Sequence, residues 1–319
     1  MEEKYRIGID LGGTNIVVGA ITDKGEIVYK ESIATLRDSR SAEDLVRVMA
    51  EETLKVIDKA GLAEDRIRSI GIGTPGVSDS KNGILIYTAN LPFMHTDFRS
   101  IFAEYTKLPI YLNNDANCAA LGEMVAGGAK GYDNVILITL GTGVGGGIIV
   151  NGKLVNGFNN AAGELGHMVI QKGGELCNCG RRGCLERYAS ATALINATRM
   201  AAKYHPESVI NKLCGGDPDK IDAKTAFDAK RTGDLIGTEL VETFTRDLGE
   251  GVINFINIFQ PEVLLIGGGI SREGEYLLAP LREYVFKYTY ANEHIPQTEI
   301  RAATLGNDAG LIGAAMLDE

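Results

Sequence analysis

The sequence predicts an α/β protein whose two halves begin in the same way. Residues 9–15, IDLGGTN, and residues 138–144, ITLGTGV, share one layout, in which a Gly/Thr turn joins an apolar strand to the next segment. In both places a further glycine turn and another strand follow, so the chain contains an internal duplication. Helical segments follow these strands, which indicates mixed sheets covered by helices. At 319 residues the chain is long enough for two domains, each with its own core.

Composition and charge argue against several classes of function. A net charge of -10 disfavours nonspecific binding to nucleic acid or to an anionic membrane. Apolar runs stay well short of the ~20 residues that a membrane span needs. The acidic start, MEEKYRIGID, enters a strand at once and does not resemble a signal peptide. We therefore expect a cytoplasmic protein with neither a nucleic-acid nor a membrane partner.

The first glycine turn has the chemistry of a phosphate loop. An apolar strand ends in Asp10, and Gly12, Gly13 and Thr14 follow before the next strand. Backbone N–H groups in such a turn can approach a phosphate, and Thr14 adds a hydroxyl. Asp10 can hold Mg²⁺ through water. The turn is not a Walker A loop, since no Gly-Lys-Ser/Thr follows, and an ordinary hairpin remains the alternative.

A helix and a buried strand come next. Ser41 can cap the helix, with Glu43 and Asp44 in its first turn and Gly61 at its end. Its apolar residues recur at helical spacing, which assigns that face to the core. Residues 70–73 then predict a buried strand.

Polar residues stand where another apolar strand ends. Residues 110–112 run directly into Asn113, Asn114 and Asp115. In open α/β sheets such positions face the ligand crevice, where an aspartate can accept the proton of an attacking alcohol. Alternatively, Asn114 or Asp115 caps the helix that includes residues 119–125. The two interpretations are compatible, because a helix start also positions a carboxylate.

A cysteine-rich stretch predicts a structural zinc site. Cys177, Cys179 and Cys184 lie within eight residues, and His167 precedes them. Three thiolates and an imidazole form a usual tetrahedral zinc set. The odd total of five cysteines favours a reducing compartment over disulfides. His167 is our choice for the fourth ligand, and the alternatives are Cys118 and Cys214.

Two glutamates flank this predicted zinc knuckle. Glu164 precedes His167 by three residues, and Glu186 follows Cys184 by two. Two carboxylates and the free nitrogen of the imidazole, held on a stiff backbone, suit the hydroxyls of a sugar. The alternative is that both are solvated surface carboxylates.

The rest of the chain is mainly helical until a last glycine loop. Residues 188–260 predict helices, and residues 262–271 form a strand ending in three glycines. Gly268 and Gly269 would let a flat base and ribose lie against bare backbone, or they form a tight strand–helix turn. A small-residue helix, 309–316, closes the chain.

These motifs together resemble one family over nearly the whole chain. ELGH at 164–167, followed by CNCGRRGCLE at 177–186, resembles the hallmark of the ROK family of sugar kinases and sugar-responsive repressors, and its cysteines resemble those of the glucokinase branch. The resemblance implies two ribonuclease-H-like domains of the actin/hexokinase type flanking an ATP/sugar cleft. Residues 1–118 with 303–319 would form a small N-terminal domain, and 119–302 a larger one carrying the zinc knuckle.

The resemblance also implies an activity and assigns residues to it. The reaction would be ATP-dependent phosphorylation of the glucose 6-hydroxyl, with Mg²⁺ accompanying ATP and with Asp115 as general base. The implied sugar ligands are the Gly76 backbone, Asn90, Asn114, Asp115, Glu164, His167 and Glu186. The implied ATP and Mg²⁺ residues are Asp10, Gly12, Gly13, Thr14, Asn15, Gly141, Thr142, Gly268 and Gly269.

Several alternatives stay open within the family. The substrate can be another hexose, such as fructose, mannose or N-acetylmannosamine, and polyphosphate can replace ATP as donor. A sugar-sensing repressor would carry an N-terminal helix-turn-helix, for which the sequence before Gly12 leaves no room. The resemblance implies a homodimer or a homotetramer.

Overall fold

Strands and helices alternate through both halves of the chain in the computed structural model, which describes residues 4–318. The strands are β1 Tyr5–Leu11, β2 Asn15–Thr22, β3 Ile27–Ala34, β4 Ile67–Thr74, β5 Val77–Asp79, β6 Ile84–Tyr87, β7 Met94–Asp97, β8 Ile110–Asn114, β9 Val135–Leu140, β10 Val144–Val150, β11 Lys153–Leu154, β12 Val263–Gly268 and β13 Glu299–Ala302. The α-helices are α1 Ala42–Lys59, α2 Phe98–Phe102, α3 Asp115–Ala126, α4 Glu186–Ala189, α5 Ala191–Tyr204, α6 Ile210–Leu213, α7 Thr225–Arg231, α8 Leu235–Phe259, α9 Glu275–Tyr288 and α10 Ala309–Ala315. None of the helices within these residues is long and apolar enough to cross a membrane.

The two large sheets repeat one strand order, which confirms the duplication predicted from the sequence. The first sheet is β3-β2-β1-β4-β8, and the second is β11-β10-β9-β12-β13. In the first, β1–β3 form an antiparallel meander, and β4 and β8 are added in parallel. In the second, β10 and β11 are antiparallel, and β12 and β13 are parallel. A third, antiparallel sheet, β5-β6-β7, was not predicted.

The first long helix has the cap that its sequence predicts. Ser41 Oγ accepts a hydrogen bond from the Asp44 N–H at 3.1 Å, and the Asp44 carboxylate accepts one from the Ser41 N–H at 3.4 Å. This reciprocal capping box satisfies N–H groups that the helix itself leaves unpaired. The apolar face of α1, which includes Leu45, Met49 and Val56, joins the core formed by the buried strands of the first sheet.

The chain divides into two compact units, and each is discontinuous in sequence. The first comprises Met1–Val135, Gly147–Gly163 and Thr304–Glu319, and the second comprises Ile136–Gly146 and Glu164–Ala303. The domains expected from the family resemblance, 1–118 with 303–319 and 119–302, remain a prediction. The compact units differ from them because α3 packs closely on α10 within the first unit.

Glycines allow the last helix to lie directly on the first sheet. A side chain on Gly8 of β1 would come within 2.1 Å of the Leu311 carbonyl oxygen, and one on Gly71 of β4 within 1.7 Å of the Ala314 carbonyl oxygen. On the other side of α10, a side chain on Gly313 would come within 1.6 Å of the Cys118 carbonyl oxygen in α3. Because only glycine permits such an approach, α10 fixes α3 against the sheet.

Candidate functional site

The predicted catalytic carboxylate stands at the first residue of a capped helix. Strand β8 ends at Asn114, whose Oδ1 accepts hydrogen bonds from the N–H groups of Ala116 at 2.9 Å and Asn117 at 3.4 Å. Asn114 is therefore the cap, as one of the two sequence interpretations expected. Asp115 follows it, is exposed, and accepts a hydrogen bond from the Ala116 N–H at 2.8 Å. A helix N-terminus favours the ionised form of such a carboxylate.

Asn114 also links this helix to Gly76, another residue that is predicted to bind the sugar. Its Nδ2 donates to the Gly76 carbonyl oxygen at 3.3 Å, in the turn between β4 and β5. Gly76 has a φ of 83°, and a side chain there would come within 2.1 Å of the Tyr87 carbonyl oxygen. The turn thus requires glycine. Asn90 lies exposed in the loop after β6.

An asparagine network that the sequence did not reveal supports the start of α3. Asn113 donates through Nδ2 to Asn156 Oδ1 at 3.1 Å and accepts from Asn117 Nδ2 at 3.0 Å. Asn113 Oδ1 also accepts from the Asn114 N–H at 2.8 Å. The run NNDAN at 113–117 was the only local sign of such a network. Asn156 lies about forty residues further along the chain, so its pairing with Asn113 could not be predicted from spacing.

Asp10 lies at the end of β1 in an acidic environment. Burial raises the pKa of Asp10 to about 6, and the charges of Asp115 and Asp308 add to the effect. A side chain on Gly310, at the start of α10, would come within 3.2 Å of the Asp10 carboxylate, so α10 covers it closely. Burial and like charges disfavour the ionised form of Asp10, and a nearby cation would stabilise that form. This is consistent with the expected role of Asp10 in holding Mg²⁺. The contribution of Asp308 was not predicted.

The first glycine loop is fixed from behind by a buried threonine. The Gly12 N–H donates to the Asn15 carbonyl oxygen at 2.9 Å, which closes the turn. Thr35, fully buried, donates its hydroxyl to the Gly12 carbonyl oxygen and its N–H to the Thr14 carbonyl oxygen, both at 2.8 Å. With its carbonyl groups held in this way, the loop leaves Thr14 and Asn15 exposed to a ligand.

The second glycine loop is closed by a similar bond but is supported differently. The Gly141 N–H donates to the Gly143 carbonyl oxygen at 3.0 Å, and the Gly141 carbonyl oxygen accepts from the Ala191 N–H at 2.9 Å. Thr142 is exposed at the tip of the loop. Gly268, with a φ of 83°, packs against the end of β9, because a side chain there would come within 2.2 Å of the Leu140 carbonyl oxygen. Gly269 faces open space.

The four predicted zinc ligands converge. The ligand atoms of His167, Cys177, Cys179 and Cys184 all lie within 4.8 Å of one another. Two of the distances, Cys177 Sγ to His167 Nδ1 and Cys179 Sγ to Cys184 Sγ, are 3.6 Å. Ligands of a tetrahedral zinc ion at its usual bond lengths stand about 3.7 Å apart, so the donor set fits the metal.

The two alternative thiols lie elsewhere. Cys118 is buried in α3, where a side chain on Gly73 would meet its Sγ at 3.2 Å. Burial raises the pKa of Cys118 well above its ordinary value. Cys214 belongs to an apolar cluster with Ala202 and Ile210. The grouping of ligand atoms therefore favours His167 as the fourth ligand.

The flanking glutamates have different environments. His167 turns Nδ1 toward Cys177 and leaves Nε2 4.0 Å from a carboxylate oxygen of Glu164, whose side chain is 56% exposed. Glu186 is only partly exposed, and its Oε2 accepts a hydrogen bond from the Val144 N–H at 3.1 Å. The interpretation of both as solvated surface carboxylates is thus wrong for Glu186.

Fold and site together define an α/β protein with two equivalent sheets, a glycine loop after the first strand of each, and a Cys₃His cluster. The sequence profile of the ROK family matches residues 6–319, so the chain belongs to that family. A glucokinase of Thermotoga maritima is 41% identical over 312 residues, which are 98% of this chain and 96% of that protein.

Two further relatives are a solved glucokinase structure and a repressor. The crystal structure of a ROK family glucokinase from Streptomyces griseus, in complex with glucose and AMPPNP, has a TM-score of 0.81 to this chain, with 35% identity and 98% of each chain covered. A xylose repressor of Caldicellulosiruptor bescii is 31% identical over 306 residues, which are 94% of this chain and 76% of that protein.

Proposed function

We infer that the protein is an ATP-dependent glucokinase, which transfers the γ-phosphoryl group of ATP to the 6-hydroxyl of glucose and yields glucose 6-phosphate and ADP. The observation that carries this inference is the exposed Asp115 carboxylate at the capped start of α3. It stands in a chain whose similar relatives include glucokinases over nearly their full length.

Asp115 supplies the base that the reaction requires. As the sugar 6-oxygen attacks the γ-phosphorus, the bond from phosphorus to the β–γ bridging oxygen breaks and ADP leaves with that electron pair. The proton of the 6-hydroxyl passes to the Asp115 carboxylate. Such phosphoryl transfer involves little covalent chemistry by the protein, so positioning and charge stabilisation account for most of the rate.

The first glycine loop is proposed to hold the β- and γ-phosphates and their cation. Asp10 would hold Mg²⁺ through water, and a bound Mg²⁺ neutralises charge on the transferring phosphoryl group. The exposed Thr14 and Asn15 and the backbone of Gly12 and Gly13 suit phosphate oxygens, while the Gly12 N–H itself closes the turn. Thr142, next to Gly141, would contact the phosphates as well, and Gly268 and Gly269 would line the adenosine pocket.

The sugar is proposed to bind through contacts to its hydroxyl groups. The proposed contacts are the Gly76 backbone, Asn90, Asn114, Asp115, Glu164, His167 and Glu186. Carboxylates and amides accept and donate hydrogen bonds in the directions that a polyol needs. The bond from Asn114 to Gly76 supports this proposal, since it couples two of these residues directly.

Zinc is proposed to bind at His167, Cys177, Cys179 and Cys184 as a structural ion. The convergence of the four donors supports it. The ion would fix His167 through Nδ1 and leave Nε2 available to the sugar. The cytoplasmic location and the homodimeric or homotetrameric state remain predictions.

Coupled release of ADP with Mg-ATP across glucose, fructose, mannose and N-acetylmannosamine tests the proposal. We expect kcat/KM for glucose to exceed that for the other sugars. A higher value for another hexose would reassign the substrate. If no sugar is turned over while calorimetry shows that sugar binds, the protein is a sugar sensor and Asp115 is not a catalytic base.

A further inference from the structure

The carboxylate of Glu186 is seated in the second glycine loop. Glu186 begins α4, two residues after Cys184, and its Oε2 accepts a hydrogen bond from the Val144 N–H at 3.1 Å. Its other oxygen, Oε1, lies 3.9 Å from Cys177 Sγ. The side chain therefore bridges the predicted zinc knuckle and the loop between β9 and β10. A hydrogen bond from a backbone N–H to an ionised carboxylate is stronger than one between neutral groups.

This seat exists only because residue 143 is glycine. A side chain on Gly143 would come within 2.2 Å of Glu186 Oε2 and 3.1 Å of its Cδ. Its third-nearest neighbour would be Glu186 Cγ, at 3.8 Å. Since Gly143 does not have a positive φ, its backbone conformation suits other residues as well. The position of the Glu186 carboxylate thus excludes a side chain at residue 143.

The neighbouring glycine has no such constraint. A side chain on Gly141 would meet nothing within 4 Å. The two glycines stand two residues apart in one loop, yet only Gly143 contacts the carboxylate. Gly143 therefore makes room for the Glu186 carboxylate, whereas Gly141 leaves open space in which a ligand could lie.

We propose that Gly143 and the Val144 N–H form the seat that orients the Glu186 carboxylate toward the sugar. Gly143 is then a positioning residue for the sugar, although its neighbour Thr142 is proposed to contact ATP. The proposal rests on the proposed function for the role of Glu186 in holding glucose. It predicts that a change in this loop alters sugar affinity and leaves nucleotide affinity almost unchanged.

The variant Gly143→Ala tests the proposal. Glucose binding is measured by calorimetry without nucleotide, AMPPNP binding with Mg²⁺ is measured separately, and zinc content is determined. We expect the Kd for glucose to rise roughly tenfold or more, since a displaced carboxylate loses a charged hydrogen bond to the sugar. The Kd for Mg-AMPPNP should stay within about twofold. A rise confined to Mg-AMPPNP overturns the proposal.

A double-mutant cycle with Glu186→Ala decides whether the effect passes through this carboxylate. If it does, Gly143→Ala adds nothing in the Glu186→Ala background, whereas independent effects would multiply and contradict the proposal. Should Gly143→Ala alone fail to fold, the double variant regains the melting temperature of Glu186→Ala if the clash with Glu186 is the cause. A double variant that stays unfolded contradicts the proposal.

These binding measurements are independent of catalysis. A wild-type protein that binds glucose but transfers no phosphoryl group would refute the proposed kinase activity and leave the seat testable. A wild-type active kinase whose Gly143→Ala variant binds glucose normally would refute only the seat.

Discussion

The two glycine loops have the same layout but different surroundings. Each follows the first strand of a five-stranded sheet and is closed by a hydrogen bond from its first glycine, Gly12 or Gly141. The first lies beside the partly buried carboxylate of Asp10, and the second lies against the carboxylate of Glu186. The two loops therefore share a backbone layout and differ in the carboxylate that lies beside each of them.

The position of the carboxylate explains the difference. Asp10 lies within the strand that leads into its loop, where the equivalent residue in the second half is Thr139. Glu186 reaches the second loop from the far side of the cysteine-rich stretch, 42 residues after Val144. Asp10 lies within its strand and is closely covered by α10, whereas Glu186 follows the cysteine-rich stretch and accepts a hydrogen bond from the loop itself.

The largest effect is expected at Asp115, the proposed general base. Asp115→Asn retains the helix start but removes the base, so kcat should fall by roughly 10³-fold with the glucose Kd nearly unchanged. Steady-state kinetics and calorimetry on the same preparation measure both. A rate close to that of the wild type would remove the general-base role from Asp115.

Asp10→Asn should change catalysis and stability in opposite directions, since turnover falls while the melting temperature at neutral pH rises. Turnover should fall by about 10²-fold, because the cation site loses its charge. The pKa of Asp10 in the folded state, about 6, lies above the ordinary 3.8, so ionisation of Asp10 lowers the free energy of unfolding. This loss of stability grows as pH rises from about 4 to 6 and is complete above pH 6.

Thermal melting without Mg²⁺ or nucleotide checks this sign. Asn at position 10 should raise the melting temperature by a few degrees at pH 7.5 and by less at pH 4.5. Equal shifts at both pH values would show that ionisation of Asp10 is not the cause.

The smallest effect concerns the support of the second loop. Cys179→Ala should lose zinc and weaken glucose binding about tenfold, with a smaller change for Mg-AMPPNP, because the knuckle positions Glu164, His167 and Glu186. Metal analysis and calorimetry measure the two losses. Cys214→Ala removes a thiol outside the cluster and should retain the metal. Equal weakening of both ligands would indicate general misfolding instead.

The sequence by itself determined the features that depend on neighbours along the chain. The capping box at Ser41, the cap at Asn114 and the strand–turn–strand layout of each loop require only residues a few positions apart. The close spacing of the cysteines likewise predicted three of the four proposed zinc ligands. Periodicity and local hydrogen bonding fix such elements, so they are visible in one sequence.

Only the tertiary structure decided which distant residues meet. Asn156 hydrogen-bonds to Asn113, Asp308 raises the pKa of Asp10, and Glu186 accepts a hydrogen bond from Val144, across separations of 42 to nearly 300 residues in the sequence. The last two of these contacts depend on how α10 and the cysteine-rich stretch pack. Glycines permit the close packing of α10, and this role appears only when another backbone lies beside them. Local pattern cannot specify such pairs, because no fixed spacing connects them.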